Sequence, residues 1–270
     1  MCRLKSAIIL KDRVFVPDYD SHTDMLKELG IEDTKANAER LFIRAELYPA
    51  NGDGFSDIDT WEFNVDQDIL PDWYVKEYDK QRMIEAVKEW AKDRIHIGVD
   101  GLDISNGAGH RIKDCKNVFI RDNATVEDIC GNTTVGYIRD SVTVGYIRDS
   151  VTVEYIRGSV TVGYIRDSVT VKYIRDSVTV GYIRDSVTVG YIRDSVTVEY
   201  IRGSVTVGYI RDSATVKYIC DSATIVTSPA TKWDKLSKAN LSGNATIKDC
   251  FTKTIYQSGN WTFKEVKNEE

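Results

Sequence analysis

From Val118 to Ile225 the chain repeats every nine residues, in 12 units whose commonest form is GYIRDSVTV. Comparing the units sorts the positions by what they tolerate. The position of Val144 is always Val or Ile, from Val126 to Ile225, and that of Ile147 is always Ile. The position of Val142 takes small or β-branched residues, including Ala124, Thr133 and Ala223. Val142, Val144 and Ile147 are therefore the expected solenoid core. Gly145 gives way to Glu154, Lys172, Glu199 and Lys217, which marks a solvated position, and Asp149 gives way to Gly158 and Gly203, a turn-like exchange. Val-Thr-Val alternates as a half-buried strand does, and the step of three from Val144 to Ile147 requires a bend.

One such unit cannot bury its apolar side alone, whereas parallel stacking of copies can. The fold class expected is a β-solenoid, a parallel β-helix preceded by a small α+β domain. A coil of two units sets Glu154 beneath Lys172 and Glu199 beneath Lys217. A coil of three units, the 27-residue alternative, leaves Glu154 and Lys217 without such partners. Opposite charges on neighbouring rungs favour the two-unit, 18-residue coil. Twelve units then make a stack of about 29 Å at ~4.8 Å per rung. Gly136–Val180 and Gly181–Ile225 match almost residue for residue, a 45-residue duplication of two and a half coils that swaps faces. An array that tolerates this does not depend on one finely placed residue, which argues against an active site within it. The adjacent Arg and Asp of each unit are expected to compensate one another along the stack.

The flanks read differently. Residues 1–110 are assigned to an α+β domain, 111–225 to the solenoid, and 226–270 to degenerate coils and a cap. Ala7–Leu10 and Val14–Val16 read as strands, Ser21–Gly30 as a capped helix, Leu41–Tyr48 and Trp61–Val65 as strands, Pro71 as the start of a second helix that is strongest over Tyr78–Arg94, and Ile95–Val99 as a returning strand. Ile112–Asn117 is expected to cover one end of the stack, Trp233–Leu241 to form a short helix or loop, and Trp261 and Phe263 to fill the last coil. The acidity sits in the first 117 residues, with a balance of −7 against +1 for the remainder. Neither part is a basic nucleic-acid binder.

The loop around Asn51, Asp53, Asp57 and Asp59 invites a calcium reading, but with Asp53 at the fifth position the first and twelfth fall on Pro49 and Thr60. Asp53, Asp57, Asp59 and Glu62 are instead a candidate partner surface. His22, His96 and His110 stand far apart, and no phosphate-loop, nucleophile-elbow or zinc-protease motif occurs. No catalytic residue, cofactor or metal is expected. The cysteines Cys2, Cys115, Cys130, Cys220 and Cys250, odd in number and without close pairs, read as free thiols of a reducing compartment. The four-residue apolar run at Ala7–Leu10 is too short for a signal-peptide core, and no run approaches the ~20 apolar residues of a membrane span. A cytoplasmic location is the expectation.

IRDNATVEDI and SGNATIKDC resemble the Asn-Ala-Thr-Ile/Val repeats of uncharacterised proteins of gut bacteria and their prophages. AIILKDRVFVPDYDSHTDMLKELGIEDT and KTIYQSGNWTFKEV resemble the segments that flank those repeats. The resemblance implies a mobile-element origin and no particular chemistry. The array also looks like a distant cousin of pentapeptide-repeat solenoids, some of which mimic DNA, although those are acidic along the array and this one is neutral. The function expected is a non-enzymatic structural or interaction protein with a protein partner. The alternatives are inhibition of a host nuclease or defence protein through an acidic surface, and ice binding through the Ser141 and Thr143 hydroxyls.

Overall fold

The computed structural model describes residues 5–227, 240–249 and 254–257. It divides into two compact units between His96 and Ile97. The N-terminal unit holds β1 (Lys5–Leu10), β2 (Val14–Phe15), α1 (His22–Glu28), α2 (Lys35–Ala38), β3 (Phe42–Tyr48), β4 (Glu62–Val65) and α3 (Lys76–Lys92). Its strands form an antiparallel sheet in the order β2-β1-β3-β4. Both faces of that sheet are covered. Ala7, Ile9, Ala45 and Leu47 pack with Met83, Ile84 and Val87 of α3 and with Trp61, while Ile8 and Phe42 pack with Met25 and Leu26 of α1 and Ala38 of α2. Two-sided burial is why β1 reads as a continuous apolar run.

Local signals set the helix ends. Ser21 accepts a hydrogen bond from the Asp24 N–H at α1, and Gly30 (φ +68°) lies just beyond its end. Helix α3 starts at Lys76 rather than at Pro71, and its first turn is capped from within: the buried Asp79 carboxylate accepts from the Val75 N–H and pairs with Arg82 at 2.8 Å. Helix α2, capped by Thr34, is an element that the apolar pattern did not predict.

The C-terminal unit is the solenoid. Its strands are β5 (Ile95–Ile97), which straddles the unit boundary, β6 (Asp103–Ile104), β7 (His110–Lys113), β8 (Val118–Ile120), β9 (Thr125–Cys130) and β10 (Thr134–Ile138). Nine more follow at nine-residue intervals: β11 (Thr143–Ile147), β12 (Thr152–Ile156), β13 (Thr161–Ile165), β14 (Thr170–Ile174), β15 (Thr179–Ile183), β16 (Thr188–Ile192), β17 (Thr197–Ile201), β18 (Thr206–Ile210) and β19 (Thr215–Ile219). The last are β20 (Thr224–Thr227), β21 (Asn240–Leu241), β22 (Thr246–Asp249) and β23 (Thr254–Gln257). Odd-numbered strands from β5 to β21 make one sheet, and even-numbered strands from β6 to β22, with β23 at the edge, make the other. Thr143 pairs with Thr161, Val144 with Val162 and Ile147 with Ile165, all in parallel. Each coil is therefore made of two units, the register that sets opposite charges on neighbouring rungs.

Val142, Val144, Ile147 and their equivalents are at most 3% exposed and form one continuous core. Thr133, which replaces Val142 in one unit, is fully buried and donates its hydroxyl to the Cys130 carbonyl at 2.6 Å.

Three boundaries differ from the sequence reading. The solenoid begins well before residue 111, because Ile104 already sits in its core and β6 pairs with β8. Ile95–Ile97 is the first rung of the odd-numbered sheet rather than a returning strand of the N-terminal sheet, and Ile112 belongs to a coil rather than to a cover. These early coils lack Val-Thr-Val and the regular nine-residue spacing, so a search for repeats passes over them. Near the other end the degenerate unit Asn244–Ile247 does form a rung, β22, with Ala245 and Ile247 buried, and β23 returns antiparallel to it. Leu241 lies in a strand. Residues 233–239 and the expected last coil at Trp261 and Phe263 lie outside the described residues.

Candidate functional site

The outer surface of the solenoid is built from ladders, one residue type per rung. Tyrosine follows the bend in every unit except the first two, which carry Phe119 and Asp128, and points outward. Tyr146, Tyr164, Tyr182, Tyr200 and Tyr218 stack with ring centroids 4.7–5.0 Å apart and planes within 10°. Tyr155, Tyr173, Tyr191 and Tyr209 stack on the other sheet at 5.1–5.3 Å. The rung spacing of a parallel sheet imposes this distance, and rings so stacked show their edges and hydroxyls to solvent.

Arginine follows one residue after the buried Ile. The Arg166 guanidinium lies over the Tyr146 ring at 5.9 Å, Arg175 over Tyr155 at 5.6 Å and Arg211 over Tyr191 at 5.5 Å, each reaching back to the preceding coil. The Nε atoms of Arg139, Arg166, Arg175, Arg184, Arg193 and Arg211 are shut off from solvent without a hydrogen-bond acceptor. The Arg166, Arg175 and Arg211 guanidiniums stand beside a tyrosine ring of the preceding coil instead. Asp128 shows the contrast. It occupies a tyrosine position, pairing with Tyr146, and accepts from both Nε and Nη2 of Arg148, at 2.9 and 2.7 Å. That pairing holds the Arg148 pKa well above the usual arginine range.

The aspartate ladder has a role that sequence reading missed. Asp140, Asp149, Asp167, Asp176, Asp185, Asp194, Asp212 and Asp221 all adopt φ of 60–65°. Aspartate tolerates this left-handed region and glycine is free in it, which explains the exchange with Gly158 (φ +85°) and Gly203 (φ +81°). Each carboxylate also bridges coils: Asp149 accepts from the Gly131 N–H at 2.9 Å, Asp167 from Asp149 at 3.1 Å and Asp194 from Asp176 at 3.1 Å. Its own-unit arginine stands nearby, at 3.2 Å for Arg148–Asp149 and 3.7 Å for Arg193–Asp194. The Arg–Asp compensation is thus present but loose, and the main partner of the carboxylate is a backbone N–H one coil back.

The two cross-rung charge pairs form as expected, Lys172–Glu154 and Lys217–Glu199, both at 3.2 Å. Both lysine pKa values are raised, chiefly by the hydrogen bond to the glutamate. The threonine row shares its outward face with the tyrosine rings, so these faces are ribbed rather than flat hydroxyl planes.

The acidic loop of the N-terminal unit is largely committed to its own fold. Asp53 accepts from the Phe55 N–H, Asp57 from the Asp59 N–H, and Asp59 pairs with Lys88 at 2.5 Å. Glu62 is exposed on β4. His22 is buried against the Ala45 carbonyl at 3.2 Å, and His110 against the Asn106 carbonyl at 2.8 Å. His22 belongs to the N-terminal unit and His110 to the C-terminal one. Lys5, 1% exposed, is held by Asp20 at 2.9 Å and lies over the Trp90 ring at 4.7 Å. An open hollow of about 560 Å³ lies between Val14–Asp18 and the end of α3, crossed by the Arg94–Asp18 pair at 2.8 Å. Among the described residues no group of three or more His, Cys, Asp or Glu is placed to hold a metal, and no helix is long and apolar enough to cross a membrane.

Fold and surface together define the class: a two-sheet, nonapeptide-repeat β-solenoid with laddered Tyr, Arg and Asp. Residues 115–230 match a family described as a domain of unknown function (DUF8349). No curated protein and no solved structure matches the chain.

Proposed function

We propose that this chain is a non-catalytic interaction protein whose solenoid is both spacer and reiterated binding surface for a protein partner. One observation carries the reading. The 45-residue duplication sets the same side chains on both sheets, with the Glu154–Lys172 pair on the even-numbered strands and the Glu199–Lys217 pair on the odd-numbered ones. Catalysis needs unlike groups converging on one reacting atom. A display repeated rung by rung and on two sides suits a surface engaged many times. The near-balance of Arg and Asp in the ladders favours protein over nucleic acid. The resemblance to prophage repeat proteins supports a mobile-element origin.

The test captures a partner from cell extract with the immobilised full chain, then titrates it against the full chain and a variant lacking Gly181–Ile225. The reading expects binding by both, weaker by a graded factor in the shortened chain. Loss of all binding in one step would place the activity at a single site and overturn it, as would capture of no protein.

A further inference from the structure

Within the repeats glycine interrupts the aspartate ladder three times, at Gly131, where Cys130 also replaces the arginine, and at Gly158 and Gly203, which keep their arginines and occupy equivalent places in the two halves of the duplication. In a regular rung one carboxylate gathers two donors, the N–H of the equivalent residue one coil back and the guanidinium of its own unit. Asp149 does so with the Gly131 N–H at 2.9 Å and Arg148 at 3.2 Å, and Asp194 with the Asp176 N–H at 3.1 Å and Arg193 at 3.7 Å. At Gly158 and Gly203 both donors remain and the carboxylate is gone. Among the described residues the backbone N–H groups of Asp140 and Asp185 have no acceptor, and Arg157 and Arg202 have no ion pair or ring contact. A second observation agrees. Most ladder arginines have Nε shut off from solvent, and Arg148 has it bonded to Asp128, whereas Arg157 and Arg202 are in neither condition. Glu154 and Glu199, three residues before each, are turned to Lys172 and Lys217.

From these two gaps we infer that Arg157 with the Asp140 N–H, and Arg202 with the Asp185 N–H, form two carboxylate-binding sites for acidic side chains of the protein partner. This deepens the interaction reading and rests on it. The ladder itself supplies the template, because the guest takes the place of an Asp side chain that every neighbouring rung provides. Carboxylates one rung to either side do not forbid it. Regular rungs carry a carboxylate between two others at the same spacing, each offset by its own guanidinium. A planar two-oxygen acid fits a fork of one N–H and one guanidinium better than a spherical anion does.

The experiment is an amide-shift titration of the full chain, ¹⁵N-labelled at aspartate, with sodium acetate and with Ac-Gly-Glu-Gly-NH₂, against sodium chloride and sodium phosphate at matched ionic strength. The inference expects the Asp140 and Asp185 signals to move saturably with both carboxylates, half-complete at about 0.2 M, as a contribution of ~1 kcal/mol from an exposed pair implies. Asp149, Asp167 and Asp176, whose N–H groups already have acceptors, stay in place. Arg157→Gln removes the response at Asp140 and leaves that at Asp185. Gly158→Asp is a harder variant, because an added Cβ comes within 2.8 Å of the Asp140 nitrogen. Chloride or phosphate acting as strongly as acetate, a peptide with no effect, or an Arg157→Gln chain that still responds at Asp140 would each overturn the inference. A chain that fails here yet shows graded partner binding leaves the scaffold reading intact. Failure of partner capture with the Asp140 response retained removes only the scaffold reading.

Discussion

At the residue scale, positions that look interchangeable in the repeat have different physical jobs. Asp149 carries a left-handed backbone and a cross-coil hydrogen bond at once. Asp149→Ala gives up both and is expected to cost about 2–3 kcal/mol. Asp149→Asn keeps the backbone preference and an acceptor oxygen, and costs less than about 1 kcal/mol. Urea denaturation of the full chain ranks the two. In the core, Ile165→Ala removes packing at a fully buried site and should cost about 2–5 kcal/mol, against less than ~0.5 for the outward Thr161→Ala.

Cys130, 1% exposed, has its pKa pushed up to about 12, first by burial and then by the Asp128 carboxylate. A maleimide at pH 8 should therefore modify the half-buried Cys220 well before Cys130 in native protein, read by peptide mass. Because the folded-state pKa exceeds that of a free thiol, this contribution to stability is intact below about pH 8.5 and is lost as pH rises toward 12. The denaturation midpoint should fall in that window, and less steeply in Cys130→Ala.

At the element scale the sequence was informative wherever periodicity carried the structure. Val144, Ile147 and the Glu154–Lys172 spacing together specify strand, bend and two-unit coil, because burial and charge leave one register that satisfies all three. In the N-terminal unit, Ser21 and Gly30 marked α1, and the burial of β1 on both faces is why AIIL reads as an unbroken run. The elements that stayed hidden lack a sequence period: the first coils around Ile104 and Ile112, and the short α2. The aspartate bridge was hidden for another reason. A residue between Arg and Ser reads as half of an exposed ion pair, and its backbone φ is a property of the turn alone. Reversing one cross-rung pair tests the register independently. Glu154→Lys sets two lysines on adjacent rungs and should lower the unfolding midpoint more at low salt than at high. Adding Lys172→Glu should restore it.

At the scale of the whole molecule, the two sheets of the solenoid carry the same ribs, offset by two and a half coils. Removing Gly181–Ile225 joins Val180 to Val226 as Ile225 is joined now, and moves the downstream rungs to the opposite sheet. The shortened chain should stay folded, with β-rich circular dichroism and a solenoid about 12 Å shorter by small-angle scattering. Its partner affinity should change by a factor rather than vanish. The candidate site was partly legible for the same reason. The core positions could be read from the repeat, whereas the turn hydrogen bonds of Asp53 and Asp57 and the Asp59–Lys88 pair could not. Acidic loop residues serve as turn caps as readily as partner contacts, and only their hydrogen bonds separate the two uses.

All of these ladders depend on a coil of two units, and paired cysteines measure that directly. Thr161 and Thr179 are register partners on adjacent rungs, whereas Thr161 and Thr188 lie on different sheets. The Thr161→Cys/Thr179→Cys chain should form an internal disulfide rapidly under mild oxidation, detected by intact mass, and the Thr161→Cys/Thr188→Cys chain should remain reduced. Linkage of the Thr161/Thr188 pair in place of the Thr161/Thr179 pair would contradict the two-unit coil, and with it the ladders, their gaps and the surface they form.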